Sequence, residues 1–117
     1  MNYCWIIVSF KADLSDVDLR GVDLSGKELD KANLSGAVLN EANLEKTALR
    51  EANLTGAALR EANLTGAHLE NTNLNGANLS GADLSSVRCL TQKQLNVACG
   101  NENTKLPSNA FELKSCP

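Results

Sequence analysis

Aromatic residues make up only 3% of the 117-residue chain, which leaves almost no platforms on which bases or sugars could stack. The formal net charge is −3, from 14 acidic and 11 basic residues. A nucleic-acid binder would carry a basic footprint, and there is none. No apolar stretch is long enough to span a bilayer, so membrane insertion is not expected. His68 is the single histidine, and its place beside Ala48 in the pattern makes it a surface residue. There is no Ser–His–Asp set, no glycine-rich phosphate loop and no HExxH. Asn and Asp are plentiful, but the calcium-loop spacing D-x-[DN]-x-[DN]-G is absent. The reading is of a non-enzyme with no catalytic residues, no cofactor and no metal site. The chain holds one domain, with no room for a separate catalytic one.

Leucine, by contrast, recurs at every fifth position from Leu14 to Leu84 without a miss. Two residues before each leucine but Leu29 sits a small residue, mostly Ala or Val, and one before is often Asn or Asp. The segment Leu49–Ala57 (LREANLTGA) returns unchanged at Leu59–Ala67. A step of five rotates about 140° on an α-helix, so the leucines would spread around it and make no apolar stripe. On a strand, an odd step sends alternate leucines to opposite faces. Asn, Asp and Gly form helices and strands poorly and accept turn geometry well. The remaining reading is a coil that turns at each unit, with leucine and the small residue pointing inward.

The number of sides follows from what would stack. Asn33, Asn43, Asn53, Asn63 and Asn73 recur every ten, with Val38, Ala48, Ala58 and His68 between them. A fifteen-residue coil would put Asn33 over Ala48. A twenty-residue coil stacks Asn33, Asn53 and Asn73, and stacks Asn43 with Asn63. A two-sided coil also matches, but is too thin to hold facing leucines. Four sides are therefore expected, with inward ladders Leu14–Leu34–Leu54–Leu74 and Leu24–Leu44–Leu64–Leu84. Each buried leucine should contribute about 1.5–3 kcal/mol, so Leu54→Asp should be severely destabilising and a change at Thr55 mild.

KANLS, EANLT and GADLS resemble the unit of the pentapeptide-repeat family, A-(N/D)-L-x-x. The resemblance covers about two thirds of the chain. It implies an all-β fold, a right-handed quadrilateral β-helix of roughly four coils, here over residues 12–86. Residues 1–11 are expected to form an N-terminal cap strand, the alternative being the end of a signal peptide. Residues 87–117 are expected to form a helical and loop cap. Thr91 with Gln94 is a capping-box pattern and Gly100 a helix stop, so a short helix is expected over Gln92–Cys99. The tail LTQKQLNVACGNENTKLP resembles the C-terminal cap of exported bacterial and thylakoid-lumen, cyanobacteria-like members.

Several side chains are candidates for more than packing. Asp13, Asp16, Asp18 and Asp23 make one end acidic; the readings are an anionic face or turn-bonding aspartates, and the second is preferred. Lys27 stands in an inward, normally small position, where it should snorkel outward and distort the corner. Outer columns Asp30–Arg50–Glu70 and Arg20–Asn40–Arg60 should stack. Thr47 and Thr72 should be tolerated inside. Gly36, Gly56 and Gly76 should stack as turn residues needing positive φ.

Cys4, Cys89, Cys99 and Cys116 form no CxxC pair, which argues against zinc. Cys99–Cys116 is the first choice for a disulfide, with Cys89–Cys99 and Cys89–Cys116 as alternatives. Such a staple implies an oxidising compartment, while the weak signal-peptide features pull the other way. The reading leans to the periplasm or thylakoid lumen over the cytoplasm. A structural or protein-interaction module follows, with an unknown protein partner and a monomer rather than a dimer. The family also includes DNA mimics that bind DNA gyrase. That alternative is less favoured, because this rod is short and weakly charged.

Overall fold

The computed structural model describes residues 11–117; of the expected cap strand, all but Lys11 falls outside them. The chain winds through single-residue parallel bridges whose partners stand twenty residues apart, from Asp13↔Asn33 to His68↔Arg88. The bridges form four columns. The first holds Asp13, Asn33, Asn53 and Asn73; the second Asp18, Val38, Ala58 and Asn78; the third Asp23, Asn43, Asn63 and Asp83; the fourth Glu28, Ala48, His68 and Arg88.

Each rung is closed by the backbone on both sides. Asn53 N–H donates to Ala32 O at 2.9 Å, and Leu54 N–H donates to Asn73 O at 2.8 Å. Each corner is a tight turn, as where Ala57 N–H donates to Leu54 O at 3.0 Å. The second residue after the leucine enters the left-handed region. Gly36, Gly56 and Gly76 stack there at φ 68, 66 and 72°, where glycine meets no steric penalty. Glu41, Lys46, Glu51 and Glu61 hold the same conformation at φ 58–61°. Their Cβ raises its cost, but the ladder needs the corner: Glu51 N–H donates to Glu70 O at 2.9 Å.

Turning at every unit aims each leucine inward. Leu34, Leu44, Leu54, Leu64 and Leu84 are 0–1% exposed, Leu74 is 2%, and Leu14 and Leu24 at the first coil are 7% and 4%. Ala32, Ala52 and Ala77 fill the space beside them. Thr47 and Thr72 are buried too, and each has an internal acceptor. Thr47 Oγ1 donates to Leu24 O at 2.8 Å and Thr72 Oγ1 to Leu49 O at 2.7 Å. A buried hydroxyl without such a partner would be costly. Lys27 does not distort its corner as expected. Lys27 N–H donates to Leu24 O at 3.1 Å, and Ala48 N–H donates to Lys27 O at 2.9 Å, as at other corners. The side chain is half-buried, and its long stem leaves the backbone in register.

Above the fourth coil the chain makes a short helix, α1 (Gln92–Asn96). It ends three residues before Cys99, the expected limit. The cause is competition for the backbone: Cys99 bridges Asn78 and Gly100 bridges Ser115, so neither is free to continue a helix. Leu95 and Ala98 close the core from above.

Candidate interaction surfaces

The residue before each leucine settles what the acidic end does. Asp13, Asp18 and Asp23 each accept the backbone N–H two residues on, at 3.1, 3.2 and 3.0 Å. Asn33, Asn43, Asn53 and Asn63 do the same at 3.0 Å. These are turn-closing bonds, and they use the oxygens a cation would need. Among the described residues no group of acidic, His or Cys side chains could hold a metal ion.

The same bonds stabilise the charged forms. The Ser15 hydroxyl and then the Ser15 N–H hold the Asp13 carboxyl below the usual aspartate value of 3.8. Ser25 does so for Asp23, Arg20 for Asp18 and Ser85 for Asp83. Each is hydrogen bonding to the ionised form.

Where the column offers no Asn or Asp, the coil below supplies the acceptor. Ala48 cannot close the turn at Arg50, and Arg50 N–H instead donates to Asp30 Oδ1 at 2.9 Å. Ala58 leaves Arg60 N–H to Asn40 Oδ1 at 3.0 Å. Arg50 also forks onto Asp30, with Nη2 to Oδ2 at 2.6 Å. That guanidinium is the main cause holding the Asp30 carboxyl low. Arg20 does not join Asn40; it turns to Asp18 within its own turn at 2.6 Å. Such exposed pairs are screened by solvent, add little to stability and act on register. His68 bridges Ala48 at half-buried depth.

At the upper end, Cys99 and Cys116 are joined by a disulfide with Cα atoms 4.8 Å apart. Cys89 is free and exposed at φ 64°, so although it falls in the next leucine slot it does not enter the core. The capping box at Thr91 and Gln94 has a second role that sequence spacing does not reveal. Gln94 Oε1 accepts Thr91 N–H at 2.9 Å, while Gln94 Nε2 donates to Leu69 O at 2.7 Å and Thr72 O at 3.0 Å. One amide thus closes the helix start and the last corner beneath it. Beside it lies a cleft of about 690 Å³, between Asn73–Asn75 and the Cys89–Val97 segment. No helix among the described residues is long and apolar enough to cross a membrane.

The comparisons agree with this geometry. The family described as pentapeptide repeats matches residues 12–50 and 52–88, in eight copies. The chain is similar to the pentapeptide repeat protein Rfr23 of the cyanobacterium Cyanothece 51142. The two are 36% identical with a TM-score of 0.62, over 83% of this chain and 62% of that one. A pentapeptide repeat protein of the Arabidopsis thaliana thylakoid lumen is 28% identical over 76% of this chain and 57% of its own, with a TM-score of 0.41. QnrB1, a plasmid-mediated fluoroquinolone resistance protein, is 20% identical over 83% and 54%, with a TM-score of 0.35. No curated protein matches the sequence. The chain thus spans about three fifths of the length of these solved structures.

Proposed function

The chain belongs to the pentapeptide-repeat family, whose members are right-handed quadrilateral β-helices, and on that premise we propose that it is a non-enzymatic module that binds another protein through its rod faces. The observation that carries the reading is where the polar side chains go. The acidic and amide groups before the leucines are spent on turn hydrogen bonds, so among the described residues they build a rigid surface rather than a reactive cluster. A stiff rod that orders little on binding keeps the entropy cost of association low. Residues 12–86 serve as the rod, residues 87–117 as its upper cap and residues 1–11 as the N-terminal element. The disulfide supports an oxidising compartment, a periplasm or a thylakoid lumen.

The test is retention of a protein from an extract of the native host by the immobilised chain. Reversing charge on one face, with Arg60→Glu and Glu61→Lys together, should weaken retention while leaving the melting temperature near that of the parent. Absence of any saturable binder would overturn the reading. A gyrase supercoiling assay run alongside should show no inhibition.

A further inference from the structure

The corners after Leu34, Leu54 and Leu74 stack, and each places a glycine, Gly36, Gly56 or Gly76, at positive φ. The residue before the glycine changes from Ser35 to Thr55 to Asn75. Asn75–Gly76 is the one Asn-Gly pair in the chain, and every other asparagine is followed by a residue with a Cβ. Glycine has no side chain to hinder its own nitrogen from reaching the amide carbon of the residue before it. Asn75 and Gly76 are both exposed. The Asn75 side chain has no hydrogen-bond partner among the described residues, and it lines the open cleft beside Gln94 and Val97.

What holds this pair back is the backbone. Ala77 N–H donates to Leu74 O at 3.0 Å, and Gly76 stands at φ 72° while Asn75 does not share its positive φ. That is a type II turn, with ψ of its first central residue near about 120°, which carries the Gly76 nitrogen away from the Asn75 side chain. Gly76 N–H is also engaged, donating to Val97 O at 2.6 Å. Lower in the stack another coil holds the same group: Gly36 N–H donates to Thr55 O and Gly56 N–H to Asn75 O, both at 2.8 Å. In this stack only Gly76 depends on the cap. Val97 is the C-cap of α1, a helix too short to hold by propensity, and Gln94 Nε2 fastens α1 to Leu69 O and Thr72 O.

We propose that Asn75–Gly76 is a self-modification site guarded by α1. When the cap lifts, Val97 O releases Gly76 N–H and the peptide is free to rotate. Water or hydroxide takes the Gly76 proton, and the nitrogen attacks Asn75 Cγ. The N–Cγ bond forms, the Cγ–Nδ2 bond breaks and ammonia leaves, giving a succinimide. Water then opens the ring. Cleavage of the bond to Cγ leaves aspartate, and cleavage of the bond to the main-chain carbonyl carbon leaves isoaspartate. The net change is hydrolysis of one side-chain amide. Isoaspartate routes the chain through its side-chain methylene and adds a main-chain atom to a tight corner. That corner no longer sets Gly76 N–H opposite Val97 O, so the cap does not reseat. The upper end is a latch that records its own opening.

The experiment is incubation of the purified full chain in mildly alkaline buffer, followed by peptide mapping. The peptide holding Asn75 should gain the mass of an amide-to-acid change, and part of it should accept a labelled methyl group from an isoaspartyl methyltransferase. The folded chain should convert at least about tenfold more slowly than the chain unfolded in guanidinium chloride, and Gln94→Leu should speed conversion of the folded chain about tenfold. If Gln94→Leu does not fold, the parent serves instead: in guanidinium below the unfolding transition, conversion and Gly76 N–H exchange should rise together. The isoaspartate form, separated by chromatography, should exchange its amides in residues 91–99 faster than the unconverted form. Equal conversion in folded and unfolded chains would overturn the proposal. So would a folded Gln94→Leu chain that converts no faster than the parent, conversion that does not follow Gly76 exchange, or an isoaspartate form whose cap exchanges as before. None of these readouts involves a partner protein, so the extract experiment stands or falls separately.

Discussion

Glu51 holds a backbone conformation, φ 60°, that glycine would hold at less cost. Removing its Cβ relieves left-handed crowding and loosens the unfolded chain, and the first effect is the larger. Glu51→Gly should therefore raise stability by about 0.5–1 kcal/mol, read from the urea midpoint, whereas Gly56→Ala should lower it by about 1 kcal/mol. These corners were only half legible. Gly36, Gly56 and Gly76 advertise positive φ, but Glu and Lys at equivalent positions do not, because there the ladder imposes the geometry against local preference. The aspartates make a second prediction. Their folded pKa values lie below 3.8, so the stability they supply is present above that pH. It is lost as pH falls through the lower folded values. The melting temperature should be flat from pH 7 to about 5 and drop in acid below about 4. Asp13→Asn, Asp18→Asn and Asp23→Asn combined should flatten that acid limb. Asparagine closes the same turn without a titrating charge, as Asn33 and Asn43 already do one coil above.

At the scale of elements, α1 has only five residues, too few to hold by propensity. Its stability comes from Leu95 in the core and from Gln94. Gln94→Leu removes two donors from Leu69 O and Thr72 O and one acceptor from Thr91 N–H. It should cost about 1–3 kcal/mol and selectively increase hydrogen exchange in residues 91–99. The four-sided coil was legible because a five-residue period with Asn before leucine admits few other solutions, and the β-helix followed from the family that the units resemble. The helix end was not. Gly100 has the composition of a stop, but what halts α1 is pairing with Asn78 and Ser115, which sequence spacing does not display. Gln94 was read as half of a capping box, and its reach to a corner some twenty-five residues earlier carries no local signal. Lys27 shows the converse: an apparent misfit was accommodated by stem flexibility, with the backbone unmoved.

For the whole molecule, stability is a sum of coil contacts, and the upper end adds a covalent tie. The Cys99–Cys116 bond closes a loop with a sequence separation of 17, worth about 3 kcal/mol for loops of this length. Reduction should free the tail first, raising amide exchange in residues 100–117 while Leu34–Leu64 stays protected. The twenty-residue register has a further consequence, for how such a chain can change length. Excising twenty residues, such as 41–60, returns every remaining leucine to its own side of the coil, with the cap seated as before. Excising five, such as 41–45, would set Asn33 under Ala58 in place of Asn53, although Gln94 keeps its seat over Leu69 and Thr72. Ten, the span after which LREANLTGA returns, sets Asn33 under Asn63 and turns the lower end half a revolution against the upper. The rod is thus quantised: whole revolutions change its length and keep its two ends facing the same way, whereas fractions of one turn one end against the other.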